Sequence, residues 1–179
     1  ADARALGALE EGRGAAGGRA DRGVTRGGGS VGGRDFVPSV ADRLGVRPAF
    51  WKVAQKPGKP LWYGVRDGKA LLGMPGNPAA VLVCLAVHAR AVLGRLEGET
   101  ATHPAWNQGL LADDVDADAD RDRLVRMRLE LTDGAARLHL LPRQESHMLS
   151  NLASAHVLAW WPAREGAFAT GERVAWIPI

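Results

Sequence analysis

The 179-residue chain has one cysteine, Cys84, and it lies in an apolar run. A lone buried thiol excludes a disulfide framework and fits a reducing compartment, so a cytoplasmic location is expected. Structural zinc needs several Cys or His at short intervals, and no such spacing occurs. The longest apolar run, near AAVLVCLAVHA, stops at His88 and Arg90, short of what a membrane span needs. The N-terminus carries arginine and glycine instead of an apolar signal core, which argues against export. It also lacks Met, and ADARALGALEE opens partway into a helical pattern, the expectation for a piece of a longer chain. Strong apolar residues are nearly absent from the first 34 positions, of which eleven are glycine, so GRGAAGGRADRG cannot bury a face. The acidic run DDVDADADRD lacks the sixth-position glycine and closing glutamate of an EF-hand and reads as a solvated loop.

The chain as a whole has the composition of a globular protein, with 46% hydrophobic and 24% charged residues. A net charge of +3 permits an anionic partner without requiring one. The chain divides into an α/β piece, residues 1–98, and an all-β piece, residues 103–179. In the first, Val24–Thr25 ends a short strand before a glycine loop, and Phe36, Val37, Val40 and Leu44 recur at helical spacing up to Gly45. Phe50–Ala54, Leu61–Val65 and Ala70–Met74 are strands, with Asp67-Gly68 a hairpin turn. A helix then starts at Asn77 and Pro78 and ends at Gly98. The second piece offers Leu110–Val115, Leu124–Leu131, Arg137–Leu141, Val157–Trp161 and Arg173–Ile177, a spacing that suggests a small barrel. A mainly parallel sheet is expected in the first piece, with ligands at the carboxyl ends of its strands and the site in a cleft between the pieces.

Four stretches have the chemistry to carry a site. GGGSVGG, between a strand and a helix, points backbone N–H groups at an anion, although it is neither GxGxxG nor a P-loop and also reads as a flexible turn. Asp35 follows it, placed either to hold Mg²⁺ or to cap the helix. KPGKP puts Lys56 and Lys59 on a proline-stiffened turn, whose mutual repulsion an oxyanion would relieve; the alternative is a solvated turn. PGNP opens the second helix and leaves free N–H groups beside Asn77. RQESHML supplies Arg143, Gln144, Ser146 and His147, but neighbours in an extended segment point opposite ways, so Ser146 and His147 do not form a nucleophilic pair. Arg121, Arg123, Arg126 and Arg128 are expected to share one face of a strand. Trp51, Trp62 and Tyr63 alternate as strand core residues would, which argues against stacking on nucleic acid.

In order, GGGSVGGRDF, FWKVAQKPGKP, GMPGNPAAV, RQESHMLSNL and TGERVAWIPI resemble the C-terminal half of the MoeA and gephyrin E-domain family, the molybdopterin molybdenumtransferases, over residues 20–179. The resemblance implies half of a three-layer αβα molybdopterin-binding domain followed by a β-barrel. It implies insertion of molybdate, the substrate anion, into adenylylated molybdopterin with release of AMP. It assigns molybdate to Lys56, Lys59, Pro60 and Ser146, with Arg121 or Arg126. Lys52 would serve the substrate phosphates, Gly27, Gly28 and Ser30 the phosphate loop, Asn77 the matching turn, and Asp35 the Mg²⁺ ion. Dimer contacts in this family come from upstream domains, so a homodimer is expected only of a full-length protein and this chain alone is expected to be inactive. The alternative is a non-catalytic oxyanion-binding or scaffolding relative. No membrane or nucleic-acid partner is expected.

Overall fold

The computed structural model describes residues 22–27, 37–100, 103–132 and 134–179. Gly28, Ser30 and Asp35 lie outside the described residues. The chain forms two compact units: Ala1–Val53 with Gly58–Asn77, and Ala54–Pro57 with Pro78–Ile179. The helix after PGNP therefore groups with the second unit.

The first unit holds a four-stranded sheet in the order β1-β5-β4-β2: β1 (Arg22–Arg26), β2 (Arg47–Trp51), β4 (Trp62–Arg66) and β5 (Lys69–Met74). Only β1 and β5 pair in parallel; β5–β4 and β4–β2 are antiparallel. The expected mainly parallel sheet is thus corrected among the described residues. The reason is local: Asp67 and Gly68 both adopt positive φ, and a two-residue turn returns the chain antiparallel to itself. Helix α1 (Val37–Arg43) packs Val37 and Ala41 on Trp62. Gly73 permits this approach, since a Cβ there would lie 3.2 Å from Val37 Cγ1. Strand β2 is an edge with all five residues exposed, so Trp51 is not the core residue that the alternation suggested.

The second unit is a closed barrel. Strands β6 (Asn107–Leu111), β8 (Asp122–Thr132), β9 (Ala135–Leu140), β10 (Val157–Trp161) and β12 (Arg173–Pro178) form the ring β10-β12-β6-β9-β8, which the β10–β8 pairing closes. Inside are Leu111, Val125, Met127, Leu138, Val157, Ala159, Trp161 and Val174. A short strand, β3 (Gln55–Lys56), pairs in parallel with Asp122–Arg123. Strands β7 (Val115–Asp116) and β11 (Ala167–Phe168) form a separate ribbon.

The helix runs from Pro78 to Leu96: α2 (Pro78–Cys84), a π turn (Leu85–Ala89) and α3 (Arg90–Leu96). It continues through His88 and Arg90, where the apolar run had seemed to stop. By length and composition alone its 19 residues could cross a bilayer, which corrects the reading that no segment approaches that length. Its Val83 instead packs with Leu124, Leu158 and Ile177 on the outer face of the barrel.

Candidate functional site

The register of the first sheet brings the predicted anion-binding segments to one end. Arg26 pairs with Met74, Gly73 with Trp62, and Trp62 with Trp51. The chain leaves this row as Gly27, as Pro75-Gly76-Asn77, and as the loop from Lys52 to Leu61. Gly27 has φ +80 and donates its N–H to the Met74 carbonyl at 3.1 Å. A Cβ built on Gly27 would stand 3.8 Å from Gly76 Cα, so the two turns run close enough that one added methyl group would bridge them. Gly27 and the turn at Gly76 therefore lie together at the carboxyl ends of the parallel pair.

The lysine loop is held at both roots. Lys52 N–H donates to Leu61 O at 2.8 Å, Val53 N–H to Lys59 O at 3.0 Å, and Leu61 N–H to Gly58 O at 3.0 Å. Lys52 has φ 71, and its Nζ sits 4.7 Å from the centre of the Trp51 ring. Lys56 and Lys59 are exposed, and among the described residues neither forms a salt bridge. Pro60 is half-buried in the turn.

In the second unit, Lys56 pairs with Arg123, two residues from Arg121. Arg121 is bound to Asp118 at 3.1 Å. Arg126 is 2% exposed. Its guanidinium donates to Met148 O (2.8 Å), Arg143 O (3.1 Å) and Glu145 O (3.2 Å). Burial pulls its pKa down and the Glu145 charge opposes that. Gln144 reinforces the clamp, accepting from Arg126 N–H and donating to Arg126 O. Ser146, half-buried, thus sits in a segment fastened to β8, next to a carbonyl that Arg126 binds. The four arginines do not share a face. Met127 and Val125 point into the barrel while Leu124 packs outside it, so Arg126 and Arg128 face away from Arg121 and Arg123.

The acidic run is structural in part: Asp114 accepts from Thr170 N–H and Oγ1, and Asp113 from Leu140 N–H. Among the described residues no three His, Cys, Asp or Glu side chains form a metal-binding group. Asp35, the residue expected to hold Mg²⁺, lies outside the described residues. Sequence reasoning missed a polar network: Gln55, 7% exposed, hydrogen-bonds Pro57 O and His88 and touches Cys84 Sγ. A single Gln and a single His on different elements give no periodic signal.

A family model described as "Probable molybdopterin binding domain" matches residues 8–95, and one described as "MoeA C-terminal region (domain IV)" matches residues 108–179. The chain belongs to the MoeA family. This MoeA-family chain is 29% identical over 153 residues to a molybdopterin molybdenumtransferase from Staphylococcus epidermidis, covering 84% of the chain and 36% of that protein. It is 32% identical over 160 residues to one from Nostoc sp., covering 87% and 37%. The chain therefore spans little more than a third of these relatives. A crystal structure of a molybdopterin biosynthesis MoeA protein from Pyrococcus horikoshii superposes with a TM-score of 0.70 at 21% identity, covering 97% of the chain and 40% of that structure. It shows the shared fold: a mixed α/β sheet region followed by a closed five-stranded barrel.

Proposed function

We propose that this MoeA-family chain works in molybdenum cofactor biosynthesis by binding molybdate on the KPGKP turn for insertion into adenylylated molybdopterin, with release of AMP. The observation that carries this reading is the lysine loop: its backbone is hydrogen-bonded at both roots, and Lys56 and Lys59 are exposed without a salt bridge among the described residues. A doubly charged tetrahedral anion relieves the repulsion between such ammonium groups. Lys59 shares its sheet end with Gly27 and Asn77, whose turns suit the phosphates of the adenylylated pterin. Charge neutralisation and positioning are what oxyanion transfer and phosphoanhydride cleavage require. The family resemblance assigns Ser146 and Arg121 to the same reaction, and Arg126 braces the Ser146 segment. Magnesium at Asp35 and dimerisation belong to the same proposal for the whole protein.

Calorimetric titration with molybdate in sulfate-free buffer tests it. Binding by the folded chain, weakened at least about tenfold in Lys59→Ala, is the expected result, as loss of a charge-assisted contact predicts. Equal binding by a folded Lys59→Ala would sink the reading.

A further inference from the structure

Behind Lys56 lies the buried network that the oxyanion reading does not use. Gln55 Nε2 donates to Pro57 O at 2.9 Å, so its side chain bridges the backbone on both sides of Lys56. The same nitrogen faces Cys84 Sγ at 3.8 Å. Gln55 Oε1 is 2.8 Å from His88 Nε2. A carbonyl only accepts, so the Gln55 amide nitrogen must face Pro57 and its oxygen must face His88. His88 therefore donates from Nε2. Burial holds the His88 pKa below its usual value and pushes the Cys84 thiol up to about 12, so both are neutral partners.

His88 occupies the π turn Leu85–Ala89, where Arg90 N–H bonds Leu85 O across five residues. One extra residue in a turn rotates everything after it by about 100° relative to an uninterrupted α-helix. No proline lies within this turn to force the distortion.

We propose that Gln55 and His88 are positioning residues for Lys56: the π turn aims His88 at Gln55, and Gln55 fixes the chain on either side of the lysine. This rests on the reading of KPGKP as the oxyanion site. The variants Gln55→Leu, His88→Leu and His88→Gln are titrated with sodium molybdate beside wild type and Lys59→Ala, with circular dichroism as the folding control. Gln55→Leu and His88→Leu are expected to bind about tenfold more weakly, the effect of one lost buried hydrogen bond. His88→Gln, whose amide reaches the Nε2 position, should stay within about twofold of wild type. Wild-type affinity in folded His88→Leu and Gln55→Leu overturns the proposal, as does failure of His88→Gln to restore it. Failure of the site reading looks different: no binding by folded wild type, or none of it lost in Lys59→Ala. Amide exchange then decides the positioning role without a ligand. Asp122 N–H donates to Ala54 O at 3.0 Å beside β3. Its exchange should quicken about tenfold in Gln55→Leu and His88→Leu while β10 is unchanged. Unchanged exchange at Asp122 overturns the proposal.

Discussion

Single residues decide whether the lysine loop has a firm base. Trp62 is 2% exposed and folds its ring across Gly64, two positions along the same strand face. A Cβ on Gly64 would come within 2.3 Å of Trp62 Cη2 and 2.9 Å of Arg47 O. The second contact is with backbone, so side-chain rotation alone cannot relieve it. Gly64→Ala is therefore expected to destabilise the first unit by about 1–3 kcal/mol, the usual cost of overpacking, as a lower urea midpoint at constant m. Because Trp62 is the strand residue just after the lysine loop, the same variant should also weaken molybdate binding. The tryptophan's burial was readable from the strand pattern of WYGVR. The need for glycine opposite its ring was not, because ring direction depends on α1 packing Val37 and Ala41 against it.

At the level of elements, the helix Pro78–Leu96 shows where local rules stop. Its start at Pro78 follows from the Asn-Pro signal, and Gly98 with φ +89 follows its end. Its π turn follows from neither, since it answers to Gln55 on β3. His88 gives the element a pH dependence. Its folded pKa lies below the ordinary 6.5 because burial penalises the imidazolium. The unfolded state then binds more protons, so stability is full above the unfolded pKa and falls as pH drops through about 6.5. Thermal midpoints measured from pH 8 to 5.5 should decline for wild type and decline less for His88→Gln, which cannot titrate. Equal slopes would refute the linkage. Carboxylates act lower on the scale: Thr170 hydrogen bonds hold Asp114, and Arg164 hydrogen bonds hold Glu172, below the usual range, and that stability goes only as pH falls through their folded pKa values.

For the molecule as a whole, the chain has two units and a little over a third of the length of its curated relatives. Binding a small oxyanion needs a few groups on one loop, whereas cleaving adenylylated molybdopterin needs both substrates oriented together. The expected outcome is that this chain binds molybdate yet releases no AMP when incubated with adenylylated molybdopterin and molybdate. Chromatographic detection of AMP checks it, and turnover by the isolated chain would show that these 179 residues suffice. Binding without release is also what a non-catalytic oxyanion-binding relative would show, so the same assay on a longer MoeA-family protein carrying these residues separates the two.

The sequence by itself determined the order of elements, the turn at KPGKP, the helix start at PGNP and the alternation that makes a barrel, because each is set by local backbone preference or by side-chain period. It also carried the family, through motifs whose residue types and order are specific. Apart from the β4–β5 hairpin, which Asp67-Gly68 sets locally, tertiary structure alone decided which strands pair and in which direction, since register depends on partners far apart in the chain. It decided that Arg126 is buried among three carbonyls while Arg121 pairs with Asp118, a difference that strand parity and the overlying 143–148 segment impose. It decided, too, that His88 and Gln55 meet, because a hydrogen bond between residues 33 positions apart leaves no trace in either residue's neighbours.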